Sequence, residues 1–274
     1  MTRKYKEISF FAVTKTLIGA MLFLLVLYFF SCAYAITIEY KEAKTVSLYE
    51  AFGTEEKWHA TAYDIKDVGK LYEYCGMHPY DCKDNEGQDP AMKLCFWHDD
   101  KTSQACYRIE DPPEGKQPRY GYDIAKDLRI MQLCKDCDHR SGLLLHARNE
   151  GFTVGHINAL SIWTYDYTKE RFVNILPVFK FIEQGEYKII PYMKGGIEGI
   201  IVEANPIIVW GKETRYGPHR FLIGIFQLGP DGYYKKVGYY ETKKKYPSLD
   251  DVSKVNVIIP EMTNIRTFIL QKTK

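Results

Sequence analysis

The sequence predicts an all-β protein of tandem four-stranded antiparallel units of about 60 residues, following an N-terminal signal or anchor segment. Two observations carry this reading. The first is a pattern stated twice within residues 142–242. Leu143-Leu144-Leu145-His146-Ala147 leads through a polar loop holding His156 to Leu160-Ser161-Ile162-Trp163, a short charged turn, and Arg171-Phe172-Val173-Asn174-Ile175-Leu176. The second copy runs Gly199-Ile200-Ile201-Val202-Glu203-Ala204, a loop holding His219, Leu222-Ile223-Gly224-Ile225-Phe226, the turn Gly229-Pro230-Asp231-Gly232, and a last strand over 233–240. His156 and His219 are 63 residues apart, and so are Trp163 and Phe226. The second observation is that no long helical pattern follows residue 35.

Residues 1–35 read as a targeting segment. Arg3, Lys4, Lys6 and Lys15 precede an uncharged apolar run over 17–30, and Ala33-Tyr34-Ala35 fits a signal-peptidase site. Uncut, residues 17–36 are long enough to cross a bilayer. A third route is lipidation of Cys32, although Phe29 is a poor fit to a lipobox. All three place residues 36–274 outside the cytoplasm, periplasmic or extracellular and in two cases tethered to the membrane. Of the 37 basic and 35 acidic residues, 33 and 34 lie beyond residue 35, so no electrostatic attraction to nucleic acid follows.

Taken in order, short strands are expected over 36–40, 45–49 and 58–65, with a strand or helical turn over 68–74. Residues 75–90 carry loop chemistry (Cys-Gly, His-Pro, Asn-Glu-Gly, Asp-Pro). A hairpin over 93–97 and 105–109 ends its first strand in Trp97 and reads as a third, diverged copy of the unit. Asp111, Pro112, Pro113, Glu114 and Gly115 open a linker to Pro118 that excludes regular helix or central strand. Two full units are then expected, at 128–133, 143–147, 160–165 and 171–177, and at 187–192, 199–204, 221–227 and 233–241. Two final strands, 255–259 and 266–270, would complete the chain. The domain division is 1–35, a disulfide-supported β region at 36–118 and the β-repeat region at 119–274, the last two continuous.

Two final strands without a complete unit suggest closure onto the first strands, which favours a small propeller-like ring over a twisted sandwich. The pattern resembles that of secreted β-propeller modules. The units lack the Asp-rich loop of calcium-binding propeller repeats, and Gly229-Pro230-Asp231-Gly232 reads as a turn.

Six cysteines remain beyond the targeting segment: Cys75, Cys82, Cys95, Cys106, Cys134 and Cys137. In an exported chain they read as disulfides, with 15 possible connectivities. Cys95 and Cys106 sit symmetrically about the hairpin tip and suit a cross-strand bridge. Cys134-Lys135-Asp136-Cys137-Asp138-His139 admits more. Cys134, Cys137 and His139 could hold a zinc or copper ion, or the two thiols could exchange disulfides, but the first expectation is a structural disulfide and no cofactor. Asp138 rules out haem attachment, which requires His directly after the second Cys.

His156 and His219 stand at matching repeat positions; paired histidines could converge on one site, but the first expectation is that each caps a loop or hydrogen-bonds a backbone carbonyl within its own unit. His146 lies in an apolar strand and reads as a satisfied interior residue. Trp163 and Asn158 in one unit, and Trp210, Arg215 and Tyr216 in the next, are candidate contact residues on or beside the loops 148–159 and 205–220. The preferred reading of Trp163 and Trp210 is as core anchors of their units. Lys243, Lys244 and Lys245 form a solvated connector that an anionic surface could use. Gly-x-Ser-x-Gly, His-Glu-x-x-His and phosphate-loop motifs are missing from the sequence. A carboxylate pair for glycoside hydrolysis has no sequence signature here. The expectation is an exported, non-catalytic β-repeat protein that binds another envelope protein or a glycan. It would reach a membrane only through residues 17–36 or a lipid on Cys32. The alternative is an envelope metal or thiol-redox protein centred on Cys134, Cys137 and His139.

Overall fold

Strand pairing in this chain is almost entirely between sequence neighbours. The computed structural model describes residues 38–52, 57–74, 90–100, 104–110, 121–133, 141–150, 156–176, 179–182, 184–193, 197–208, 217–247 and 255–272. Among them, thirteen strands make three antiparallel sheets. Sheet 1 is β1 (Tyr40–Ser47), β2 (Trp58–Ile65), β3 (Lys93–His98) and β4 (Gln104–Arg108). Sheet 2 is β5 (Ile124–Gln132), β6 (Ser141–Asn149), β7 (Ile157–Asp166) and β8 (Arg171–Asn174), with β9 (Phe179–Ile182) paired to the first half of β7. Sheet 3 is β10 (Glu186–Met193), β11 (Ile197–Pro206), β12 (Phe221–Leu228) and β13 (Tyr234–Glu241). Three helices, α1 (Tyr49–Phe52), α2 (Val68–Tyr74) and α3 (Ile258–Lys272), complete the described elements.

Alternation along each strand decides what packs on what. Leu143, Leu145 and Ala147 of β6 join Ala60, Leu94 and Phe96 of sheet 1 in a first core, while Leu144 faces the other way into a second core with Ile201 and Phe226 of sheet 3. Ile200, Val202 and Ala204 of β11 face a third core, closed by Ile258, Ile265 and Ile269 of α3. Sheets 2 and 3 are thus covered on both faces. This is why β6 and β11 read as unbroken apolar runs.

The 63-residue period is structural. Trp163 lies on the third strand of sheet 2 and packs into the first core, its ring 4.8 Å from Tyr107 and 5.7 Å from Phe96. Phe226 lies on the third strand of sheet 3 and packs into the second, 4.9 Å from Phe179. Each unit sends aromatic side chains into the unit before it: Phe172 joins Trp163, its ring stacked 3.8 Å from Phe96, and Tyr234 joins Phe226. Trp97, on the third strand of sheet 1, points the same way, away from sheet 2. It is stacked 4.3 Å from His59 and donates to Thr61 Oγ1 at 2.9 Å. The diverged first copy is therefore a full sheet. Its hairpin carries the Cys95–Cys106 disulfide between directly opposed residues, with Cα atoms 4.0 Å apart. Such a bond belongs to an oxidising environment.

Several expectations need correction. The first strand begins at Tyr40 and runs through a register shift at Glu42/Lys44 to Ser47, where two short strands were expected. Of the two alternatives for residues 68–74, the helical one holds. β9 is an addition that the repeat does not announce. The main correction is α3. Residues 255–259 and 266–270 do not supply closing strands, and no ring closes among the described residues. Ile258, Met262, Ile265 and Ile269 recur at helical spacing and face sheet 3. The β-branched isoleucines among them suggested strands instead. The N-terminus of α3 is capped from afar: Glu186 Oε2 accepts from the backbone N–H of Val257 (2.8 Å) and Ile258 (3.0 Å). Pro260 falls in the first turn, where its missing N–H costs nothing.

A second carboxylate holds α3 down. Glu261 is 3% exposed and accepts hydrogen bonds from Tyr246 Oη (2.5 Å), Asn264 Nδ2 (2.8 Å) and Tyr240 Oη (3.1 Å). Burial works to raise its pKa, but the hydrogen bonds from Asn264, Tyr246 and Tyr240 outweigh it and hold the carboxyl below its usual 4.5. Burial, together with the hydrogen bond to Glu261 and that carboxylate's charge, pushes Tyr246 up to about 12, and burial and the same carboxylate raise Tyr240. A lowered carboxyl adds stability above its unfolded pKa that is lost as pH falls through the folded value. Raised phenols add stability that is complete below 10 and lost as pH climbs toward about 12. The thermal unfolding midpoint should therefore hold between about pH 5 and 10 and fall on both sides. Glu261→Gln should flatten the acid limb. Acid limbs that coincide for the two proteins, followed by circular dichroism, would remove Glu261 from the docking of α3.

Candidate functional site

The turns between third and fourth strands recur at matching places in sheets 2 and 3, and a cleft of about 380 Å³ is lined by residues of both. The sheet 2 turn is an Asx turn. Asp166 Oδ1 accepts from the backbone N–H of Thr168 (3.0 Å) and Lys169 (3.1 Å), and Glu170 takes the left-handed φ of 49° that returns the chain into β8. This geometry projects Tyr167 outward, 64% exposed. Its hydroxyl nevertheless donates to the Phe52 carbonyl of α1 at 2.7 Å. Its ring meets Tyr165 edge to face at 5.0 Å, and Tyr165 in turn leans on Phe172 at 5.1 Å. The ring is held at both ends while still facing solvent.

The sheet 3 turn supplies Pro230, Asp231 and Gly232 to the cleft. Gly232 has φ 80°, which suits glycine, and Gly229 N–H donates to the Tyr233 carbonyl at 2.8 Å. Leu133, Ile175 and Leu228 give the cleft apolar walls, and Ser141 and Thr164 give it hydroxyls. Asp231 is its one carboxylate among the described residues. The hydrogen bond from Lys235, an ion pair of 2.7 Å, holds Asp231 below the usual carboxylate range. Asp166 is lowered in the same way by Lys169 at 2.9 Å. An ionised Asp231 has no second carboxylate beside it among the described lining residues to serve as the general acid of glycoside hydrolysis.

Comparison with known protein families, curated proteins and solved structures finds no match. What the site can do is read from its own chemistry.

The residues singled out by sequence fall elsewhere. Trp163 is 7% exposed, with its indole N–H donating to Ser161 Oγ at 2.9 Å, and it lies inside the first core. His219 is wholly buried, where its backbone bridges to Tyr246. A ligand would not reach either side chain in this conformation. His156 is half-buried at the start of β7, with Nδ1 3.5 Å from Glu150 Oε2. Each histidine thus sits at the entry to its own sheet's third strand among local partners. Asn158 is buried and bonded through Oδ1 to His146 Nε2 at 2.9 Å. Burial lowers the pKa of His146 against that hydrogen bond, and the half-buried ring lies among Phe181 and Tyr187.

Trp210, Arg215 and Tyr216 lie outside the described residues, as do Cys75, Cys82, Cys134, Cys137, His139 and the whole segment 1–35. Among the described residues no three His, Cys, Asp or Glu side chains are grouped to hold a metal ion, and no helix is long and apolar enough to cross a membrane. Lys243 of the basic connector lines a second cleft, of about 240 Å³, beside Glu261 and Asn264.

Sequence reasoning missed Tyr165, Tyr167, Ser141, Thr164 and Asp231. It looked to the loops entering β7 and β12, and the cleft lies at the other end of those strands. Tyr165-Asp166-Tyr167 running into a turn was the available signal, since a tyrosine on a turn has no core to enter.

Proposed function

We propose that this chain is an exported, non-catalytic β-repeat protein that binds another component of the cell envelope, a protein or a glycan, through the cleft between the sheet 2 and sheet 3 turns. The observation that carries the reading is Tyr167, a large side chain fixed by a hydrogen bond to Phe52 and left 64% exposed. Rigid, exposed aromatic side chains supply contact area at low entropic cost. The Cys95–Cys106 disulfide supports residence outside the cytoplasm. The basic, apolar and small-residue succession of residues 1–35 supports export by a cleaved or retained segment.

The test is co-sedimentation of the purified protein with washed cell-envelope fractions. Tyr167→Ala should weaken retention by about tenfold, the cost of one lost aromatic contact. Its unfolding midpoint should stay within a few degrees of the parent, because the ring is mostly outside the core. Retention that ignores Tyr167 would sink the reading.

A further inference from the structure

We infer that the ligand of this cleft is a neutral saccharide of one or two pyranose rings, stacked on the exposed face of Tyr167. This deepens the reading above and rests on it. The volume, about 380 Å³, lies at the low end of the roughly 300–1,000 Å³ that small-ligand sites occupy.

Charge decides the first half of the assignment. Among the described residues no cation lines the cleft, so nothing there would pair with a phosphate, sulfate or carboxylate. The cleft's anion, Asp231, is already neutralised by Lys235. Against the described lining, a charged ligand of either sign would lose hydration and find no free partner. The ligand that fits that lining is uncharged.

Hydrogen bonding decides the second half. An uncharged guest that Tyr-lined grooves often take is a proline-rich peptide, which presents carbonyl acceptors and few donors. The groups waiting here are different. The Ser141 and Thr164 hydroxyls can donate or accept, and Asp231 can only accept. Asp231 Oδ1 takes a long 3.4 Å contact from Tyr233 N–H and Oδ2 takes Lys235, which leaves lone pairs on both oxygens. A guest with its own donors is required to meet them. Sugar hydroxyls donate and accept, and the C–H face of a pyranose gives the apolar surface that Tyr167, Leu228 and Pro230 can cover. Tyr167 would do this without losing rotamer freedom on binding, because Phe52 and Tyr165 already hold it.

The experiment is a calorimetric titration of the full chain with maltotriose, cellotriose, triacetylchitotriose and laminaritriose up to about 10 mM, where even weak sites begin to fill. At least one should bind. Tyr167→Ala should weaken that binding about tenfold or more, and Ser141→Ala with Thr164→Val by several-fold. The same sugar should displace the protein from envelope fractions. No binding by any of the four overturns the inference. If envelope retention still depends on Tyr167 in that case, or if a proline decamer competes for it, the cleft remains a contact surface and its partner is a protein. If retention is indifferent to Tyr167, the contact reading falls as well.

Discussion

Trp163→Ala is expected to lower the free energy of unfolding by about 3–5 kcal/mol, the cost of emptying a large aromatic site in a packed core. The side chain fills the seam between sheets 1 and 2, in contact with Phe96 and Tyr107, and its indole N–H is bonded to the buried Ser161 hydroxyl. Removal leaves both a void and a hydroxyl without that donor. Trp163→Phe keeps much of the ring and should cost about 1–2 kcal/mol, which guards against an alanine variant too unstable to measure. Urea unfolding followed by far-ultraviolet circular dichroism reads both. Phe226→Leu acts in the second seam, away from the partners of Trp163, so its effect should add to that of Trp163→Phe within about 0.5 kcal/mol. A Trp163→Ala cost below about 1 kcal/mol would mean that the seam does not depend on this anchor.

Gly224→Ala should cost about 3 kcal/mol for a different reason. Gly224 lies opposite Glu203 in the β11–β12 pair. A methyl group placed there would run into Glu203 Oε1 and stand 2.7 Å from its Cγ. That carboxylate has little freedom to retreat: its side chain is 7% exposed and accepts from Lys236 Nζ at 2.9 Å. The added methyl group therefore forces either overpacking or separation of a largely buried ion pair. Lys236→Met should cost less, about 1–2 kcal/mol, because Lys236 is 41% exposed and water can reach the carboxylate where the ammonium stood. Glu203→Ala placed on top of Gly224→Ala should recover part of the loss, since the side chain that clashes is gone. A double variant no more stable than Gly224→Ala alone would show that the glycine is needed for its backbone and not for the space it leaves.

The sheets were legible in the sequence because their signals are local. Leu143-Leu144-Leu145 and Ile200-Ile201-Val202 mark strands buried on both faces, Gly229-Pro230-Asp231-Gly232 marks a turn, and the Trp163/Phe226 spacing marks the repeat. Helix α3 was not legible, because what makes it a helix is distant. Its cap is Glu186, in β10, and its apolar stripe has meaning only against sheet 3. Read alone, Val255-Asn256-Val257-Ile258-Ile259 has strand propensity, and tertiary packing overrides it. The candidate site was illegible for a related reason. Ser141, Thr164, Tyr167 and Asp231 come together only through the packing of one repeat on the next. Trp163 is the core anchor that the sequence favoured, but its partners could not be read there: Phe96 and Tyr107 belong to the preceding sheet and its hairpin.

Helix α3 also gives the described architecture a direction of growth. Each sheet accepts an aromatic side chain from the sheet that follows it, as sheet 1 does from Trp163 and sheet 2 from Phe226. Sheet 3 accepts α3 instead, and the outer side of that helix is mainly polar, with Ile259 and Leu270 exposed on it. A further module could not be appended after α3 and continue the same packing. It would have to be spliced in upstream of Val255, between one sheet and the next, where it would meet a receiving face on one side and supply its own aromatic on the other. Among the described residues, α3 occupies the face of sheet 3 that a further sheet would otherwise use.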